Sequence, residues 1–174
     1  LIEGSAIVEF NFFEFITGSK KQNHSPYIFA GLGVFTFNPI VELDGETIEL
    51  QKLGTEGQGS SLSNSAKYGL SGLVIPFGLG YRYSPGKNVS MSFEMGFRPT
   101  SSDYIDDVSD VYVDNDVLAE ENGALAAYFG DRSLTDTDKT GTIRGDSQSN
   151  DWYVFSGITL FVALTPQKER CKRF

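Results

Sequence analysis

The stretch Val89–Arg98, VSMSFEMGFR, decides how this chain folds. Large apolar residues recur at every second position, Val89, Met91, Phe93, Met95 and Phe97, with Ser90, Ser92, Glu94, Gly96 and Arg98 between them. Successive side chains of a strand point to opposite faces, so the segment has one apolar face and one polar face. In a soluble sandwich or barrel the apolar face fills the core. In a membrane barrel it faces lipid, and Glu94 and Arg98 stand in the interior.

Four more segments read as strands. Gly4–Phe15 sets Ala6, Val8, Phe10 and Phe12 against Ile7, Glu9, Asn11 and Phe13. Pro26–Phe37 sets Ile28, Ala30, Leu32 and Val34 against Tyr27, Phe29, Gly31, Gly33 and Phe35. Tyr68–Tyr83 sets Leu73, Ile75, Phe77, Leu79 and Tyr81 against Val74, Pro76, Gly78, Gly80 and Arg82. Pro76 cannot donate to a ladder and predicts a bulge or an unpaired position within that strand. Trp152–Leu164 is apolar at both parities, so alternation does not orient it.

Short and long connections alternate. About ten residues join the first two segments, and the turn SPGKN, Ser84–Asn88, joins the third and fourth. The connections Asn38–Lys67 and Pro99–Asp151 are long. Outer-membrane barrels show this pattern, with short periplasmic turns and longer extracellular loops. The strands run near the ~9–11 residues that cross a bilayer at a tilt. Gly31, Gly33, Gly78, Gly80 and Gly96 share a face with Glu9, Asn11, Arg82, Glu94 and Arg98. Small inward residues are expected to make room for those polar side chains in a narrow lumen, with Glu94 and Arg98 pairing with Arg82 and Glu9. The predicted fold is therefore all-β: an antiparallel up-and-down transmembrane β-barrel with Val89, Met91, Phe93, Met95 and Phe97 facing lipid. Bacterial barrels have even strand numbers and both ends in the periplasm. Five strands here predict that about three N-terminal strands of an eight-stranded barrel lie upstream, in keeping with a chain that opens LIEGSAIVEF without a signal-type segment.

Composition sharpens the choice. The 174 residues suit one domain, and a net charge of −9 argues against phosphate neutralisation on nucleic acid. No apolar run of about 18 residues exists, so a transmembrane helix is excluded, which leaves a barrel open. The single Cys171 cannot form an internal disulfide, and both it and the single His24 read as surface residues. With no Ser/His/Asp or Cys/His set, and with Asp106–Asp107 reading as an exposed carboxylate pair, no catalytic role and no cofactor are expected. Gly31–Gly33 and Gly78–Gly80 lie inside strands and are not phosphate loops.

The second long loop is acidic and reads as a solvated face, with a short helix over Val117–Phe129 weakened by Gly123. Asp136–Ile143, DTDKTGTI, resembles the opening of a calcium loop through Asp136 and Asp138, but Ser147 stands where the closing Glu belongs. Arg144–Gly145–Asp146 spells an adhesion tripeptide common by chance. The tail Thr165–Phe174 carries Lys168, Arg170, Lys172 and Arg173, a basic periplasmic tail that is a candidate for docking a partner.

Several blocks resemble the PorG family, small outer-membrane β-barrels of the Bacteroidetes type IX secretion system. They are HSPYIFAGLGVFTFNP from His24, KLGTEGQG from Lys52, VIPFGLGYRY from Val74, MGFRPTSSDYIDDVSDVYVD from Met95, and NDWYVFSGITL from Asn150, followed by CKRF. The resemblance covers nearly the whole chain from Gly4, and GTEGQG and DYIDDVS are its most specific parts. It implies a structural role: anchoring a periplasmic lipoprotein-containing ring to the outer membrane, with Ile16–Ser25, Ser84–Asn88 and the tail as working surfaces. Two other readings compete. A soluble lipocalin-like barrel would bind an apolar ligand along Val89, Met91, Phe93, Met95 and Phe97. A small porin or adhesin would act through the acidic loops.

Overall fold

A computed structural model describes residues 1–63, 65–134 and 137–164. The chain divides into two compact units. The strand unit comprises Ser5–Gly33, Val74–Pro99 and the segment that begins at Trp152; the loop unit comprises Leu1–Gly4, Val34–Leu73 and Thr100–Asp151. The tail residues Lys168, Arg170, Lys172 and Arg173, with Cys171, lie outside the described residues, as does Asp136.

The fold is all-β with a few short helices. One antiparallel sheet contains β1 (Ile2–Asn11), β2 (His24–Thr36), β5 (Ser71–Val74), β6 (Phe77–Tyr83), β7 (Val89–Pro99) and β8 (Trp152–Val162), while β3 (Ile40–Leu43) and β4 (Glu46–Glu49) form a separate hairpin. The order β1-β2-β6-β7-β8 follows the sequence, an up-and-down arrangement, and β5 also pairs with β2. Within the strand unit the sheet curls like half of a barrel wall.

Pro76 splits the third predicted strand into β5 and β6. It has no N–H to give, but its carbonyl accepts the Gly31 N–H at 2.8 Å, so the two pieces stay against β2. That strand starts at Ser71 and not at Tyr68, whose ring is engaged in the loop unit. The first strand ends at Asn11 and not at Phe15. The Phe12 N–H still reaches Pro26 O at 3.0 Å, but the Phe13 N–H turns to the Ser25 hydroxyl at 3.1 Å, and the chain leaves the ladder.

In the loop unit, Asp44 and Gly45 both take positive φ, 52° and 85°, which closes β3 onto β4 in a tight two-residue turn. The helix expected over Val117–Phe129 is two helices, α2 (Asn115–Glu121) and α3 (Ala124–Gly130); the short α1 (Leu50–Leu53) precedes them in the chain. The break falls at Gly123, whose φ of 99° and ψ of 161° is a conformation essentially reserved for glycine. Asp114 caps α2 by accepting the N–H groups of Asp116 and Val117. Phe35, Phe37, Leu118, Ala126, Ala127 and Phe129 are buried and form the core of this unit.

Candidate functional site

Ladder register places residues of the strand unit in rows. On one face run His24–Tyr83–Met91–Leu160, Pro26–Tyr81–Phe93–Ile158, Ile28–Leu79–Met95–Ser156 and Ala30–Phe77–Phe97–Val154. On the other run Ser25–Arg82–Ser92–Thr159, Tyr27–Gly80–Glu94–Gly157 and Phe29–Gly78–Gly96–Phe155. Over β2, β6 and β7 the first face is the exposed one: Phe93 is 51% exposed and Leu79 58%, whereas Tyr27 is 1% and Ser92 3%; on β8 residues of both faces, Phe155 among them, are exposed. Met91 and Met95 are exposed with Phe93, and Val89 and Phe97 are half-buried. Pairing with β7 also orients β8, which alternation left open: Val154, Ile158, Leu160 and Val162 lie on the exposed apolar face.

The opposite face holds the predicted polar residues, differently grouped from expectation. Arg82 Nη2 lies 2.9 Å from Glu9 Oε2, and those two do pair. Glu94 instead accepts the Tyr27 hydroxyl at 2.8 Å. The Arg98 guanidinium lies over the rings of Phe29 and Phe155, 5.9 and 5.5 Å from their centroids. Asn11 stands exposed near the end of β1.

The glycines make room chiefly for rings. A Cβ on Gly80 would meet Tyr27 Cζ at 2.3 Å, so the tyrosine crosses β6 only because residue 80 has no side chain, and so reaches Glu94 on β7. Phe29 crosses Gly78 and Gly96 in the same way, at 2.7 and 2.8 Å from the two virtual Cβ positions. Arg82 then lies over the Tyr27 ring at 4.8 Å. Such cation–π contacts place the positive charge on an electron-rich face and leave its N–H groups free for a carboxylate in the plane.

A second polar centre lies in the loop unit, built from the two loop motifs GTEGQG and DYIDDVS. Arg144 Nη1 donates to Glu56 Oε1 at 2.8 Å and to Asp107 O at 3.1 Å. Glu56 also accepts the N–H groups of Ser109 and Asp110. Asp107 accepts hydroxyl hydrogens from Thr55 at 2.6 Å and Tyr68 at 2.5 Å. The Tyr68 ring stacks between Phe37 and Tyr104, at 6.2 and 4.4 Å. Burial pushes the Asp107 carboxyl above the ordinary carboxylate range, opposed by its two hydroxyl donors and by Arg144. Burial, and then the bond to Asp107, likewise push the Tyr68 phenol up.

This centre corrects the expectation of a solvated acidic loop at Asp107 alone, since Asp106, Asp110, Asp116, Glu120 and Glu121 are exposed. Asp107, expected to be exposed beside Asp106, is 2% exposed and sits at a positive φ of 68°. Arg144 is half-buried and its guanidinium is bonded to Glu56, so the Arg144–Gly145–Asp146 tripeptide does not present it as an adhesion motif would. Asp138 accepts the Thr140 N–H, a local turn contact. Among the described residues no group of three or more His, Cys, Asp or Glu side chains converges as a metal site.

No protein-family model, curated protein or solved structure matches the chain.

Proposed function

We propose that this chain is a structural outer-membrane component of a type IX secretion system, a transmembrane β-barrel wall that anchors a periplasmic lipoprotein-containing ring. The observation that carries the reading is the sidedness of the strand unit. Its exposed face is apolar across four strands, and its ionic groups, Arg82, Glu9 and Glu94, share the opposite face. Water exposure of that apolar face would be costly, at ~25 cal/mol per Å2, and lipid removes the cost. Eleven residues of β7 rise about 36 Å at ~3.3 Å each. Tilted by about 40°, such a strand covers an apolar band of about 25 Å.

The same sidedness disfavours the lipocalin-like alternative. The residues that would line its cavity, Met91, Phe93 and Met95, are exposed on the face opposite Tyr27 and Ser92. The secretion assignment draws on the resemblance of the GTEGQG and DYIDDVS loops, and the anchoring role on the turns Ile16–Ser25 and Ser84–Asn88. Its work is mechanical and needs no catalytic group.

The test has two stages. Folded outer-membrane barrels keep their structure in SDS until boiled, so the unheated protein should migrate apart from the boiled form. With Cys171 replaced by serine, a thiol-reactive crosslinker at Gly86→Cys, in the turn, should then capture a lipoprotein in outer-membrane preparations. Coincident bands with and without boiling would end the barrel reading; a heat-modifiable barrel that captures no lipoprotein would end the anchoring role alone.

A further inference from the structure

The apolar face of the strand unit is not uniform. At its turn end Tyr81 and Tyr83 on β6, Met91 and Phe93 on β7 and Ile158 on β8 surround an open groove of about 280 Å3 with almost wholly apolar walls. Tyr83 faces Met91 and Tyr81 faces Phe93 across the ladder, so the groove runs along the β6–β7 seam. The His24 ring stacks on Tyr81 at 6.3 Å and carries the wall to the end of β2.

Charge is arranged just beyond the groove. The turns Ile16–Ser25 and Ser84–Asn88 contain Lys20, Lys21 and Lys87 and no carboxylate. The chain from Tyr83 back to Val89 passes directly through Lys87. The two turns are pressed together: the Gly18 N–H donates to Ser84 Oγ at 2.9 Å, and a Cβ on Gly18 would meet Lys87 O at 2.6 Å. Gly18 takes a φ of 85° to allow this approach. Glu14, the acidic residue nearest along the chain, is engaged by the Gln22 side-chain amide. The turn end thus combines a tyrosine-edged apolar slot with two adjoining turns that carry three exposed lysines, which matches an amphiphile with an acyl chain and an anionic head.

We propose that this end of the strand unit holds an anionic glycerophospholipid, one acyl chain in the groove and its phosphate against Lys87, Lys20 and Lys21. The inference rests on the lipid-facing reading and goes beyond it, because bulk lipid contact needs neither a groove nor a fixed headgroup. Tyrosine side chains, apolar in the ring and polar at the tip, suit the boundary between hydrocarbon and headgroups. Each lysine close to an anionic surface contributes about a fivefold gain in retention, and salt weakens the effect.

The probes are dioleoyl phosphatidylglycerol and dioleoyl phosphatidylethanolamine, added to the detergent-solubilised full chain and followed by native mass spectrometry. Retained phosphatidylglycerol should exceed phosphatidylethanolamine and fall about fivefold in Lys87→Gln and further in Lys20→Gln/Lys21→Gln/Lys87→Gln. Ile158→Trp fills the groove with apolar bulk and should release the lipid without touching a charge. Heat-modifiability on a gel shows that each variant is folded. Equal retention of the two lipids, or unchanged retention in both the lysine and the groove variants, would overturn the proposal while the membrane reading stands. Release of the protein from membranes by alkaline carbonate would instead remove the lipid-facing reading itself.

Discussion

Met95→Arg places a charge in the middle of the exposed apolar face. Met95 lies in the row Ile28–Leu79–Met95–Ser156 and is 40% exposed. The arginine stem can cover the neighbours that the methionine covers, so little lateral packing is lost. Desolvation of the guanidinium then dominates, at about 2–4 kcal/mol near the bilayer midplane. Met91→Arg, on the same strand beside Tyr83 at the turn end, should cost only about 0–1 kcal/mol, because the charge reaches the interface. On a water-exposed sheet both changes would fall within about 0.5 kcal/mol of zero. The assay is reversible urea-driven folding into phosphatidylcholine vesicles, reported by Trp152, the single tryptophan of the chain. Equal small effects at positions 91 and 95 would refute the depth argument and the lipid-facing assignment with it.

Other consequences follow from particular contacts. Gly80→Val drives a side chain into the Tyr27 ring and should cost about 1–3 kcal/mol in the same urea titration, with loss of the Tyr27–Glu94 bond. Arg144→Met leaves Glu56 buried without its cation and should destabilise the loop unit by about 3–5 kcal/mol, while Glu56→Gln/Arg144→Met should recover much of that, as read by near-ultraviolet circular dichroism of the Tyr68–Tyr104 stack. The Asp107 carboxyl has a raised native pKa, so the folded state holds its proton more tightly than the unfolded chain does. Stability of the loop unit should fall as pH rises from about 4 through that raised value, and Asp107→Asn should flatten the slope in urea midpoints taken from pH 4 to pH 8. Gly123→Ala meets no neighbour but forces a side chain into a glycine-only conformation, so thermal denaturation should show a loss of about 1–3 kcal/mol.

What could be read from the sequence follows physical range. Period-two alternation is local, so the five strand segments and the faces of β2, β6 and β7 were legible in residues such as Phe93 and Glu94. The Pro76 break was legible for the same reason, since a missing N–H is a property of one residue. β8 was not, because Phe155 and Phe161 on one face are as apolar as Ile158 and Leu160 on the other; only its register with β7 separates them. The Asp44–Gly45 turn carries a readable local signal, an Asp-Gly pair between short strands, inside the long Asn38–Lys67 connection. The Glu56–Asp107–Arg144 centre had no local signature. Its partners stand 37 to 88 residues apart, and Asp107 looks like any loop carboxylate until Tyr68 and Thr55 close over it.

Site-directed spin labelling along Val89–Arg98 tests the central claim most directly. With Cys171 replaced by serine and the protein in lipid vesicles, each position is labelled in turn, and its accessibility to oxygen is compared with that to a water-soluble nickel chelate. Oxygen preference should alternate with a period of two and peak at Met91, Phe93 and Met95, the side chains on the exposed apolar face. Nickel preference at those three positions, or no alternation at all, would contradict the account.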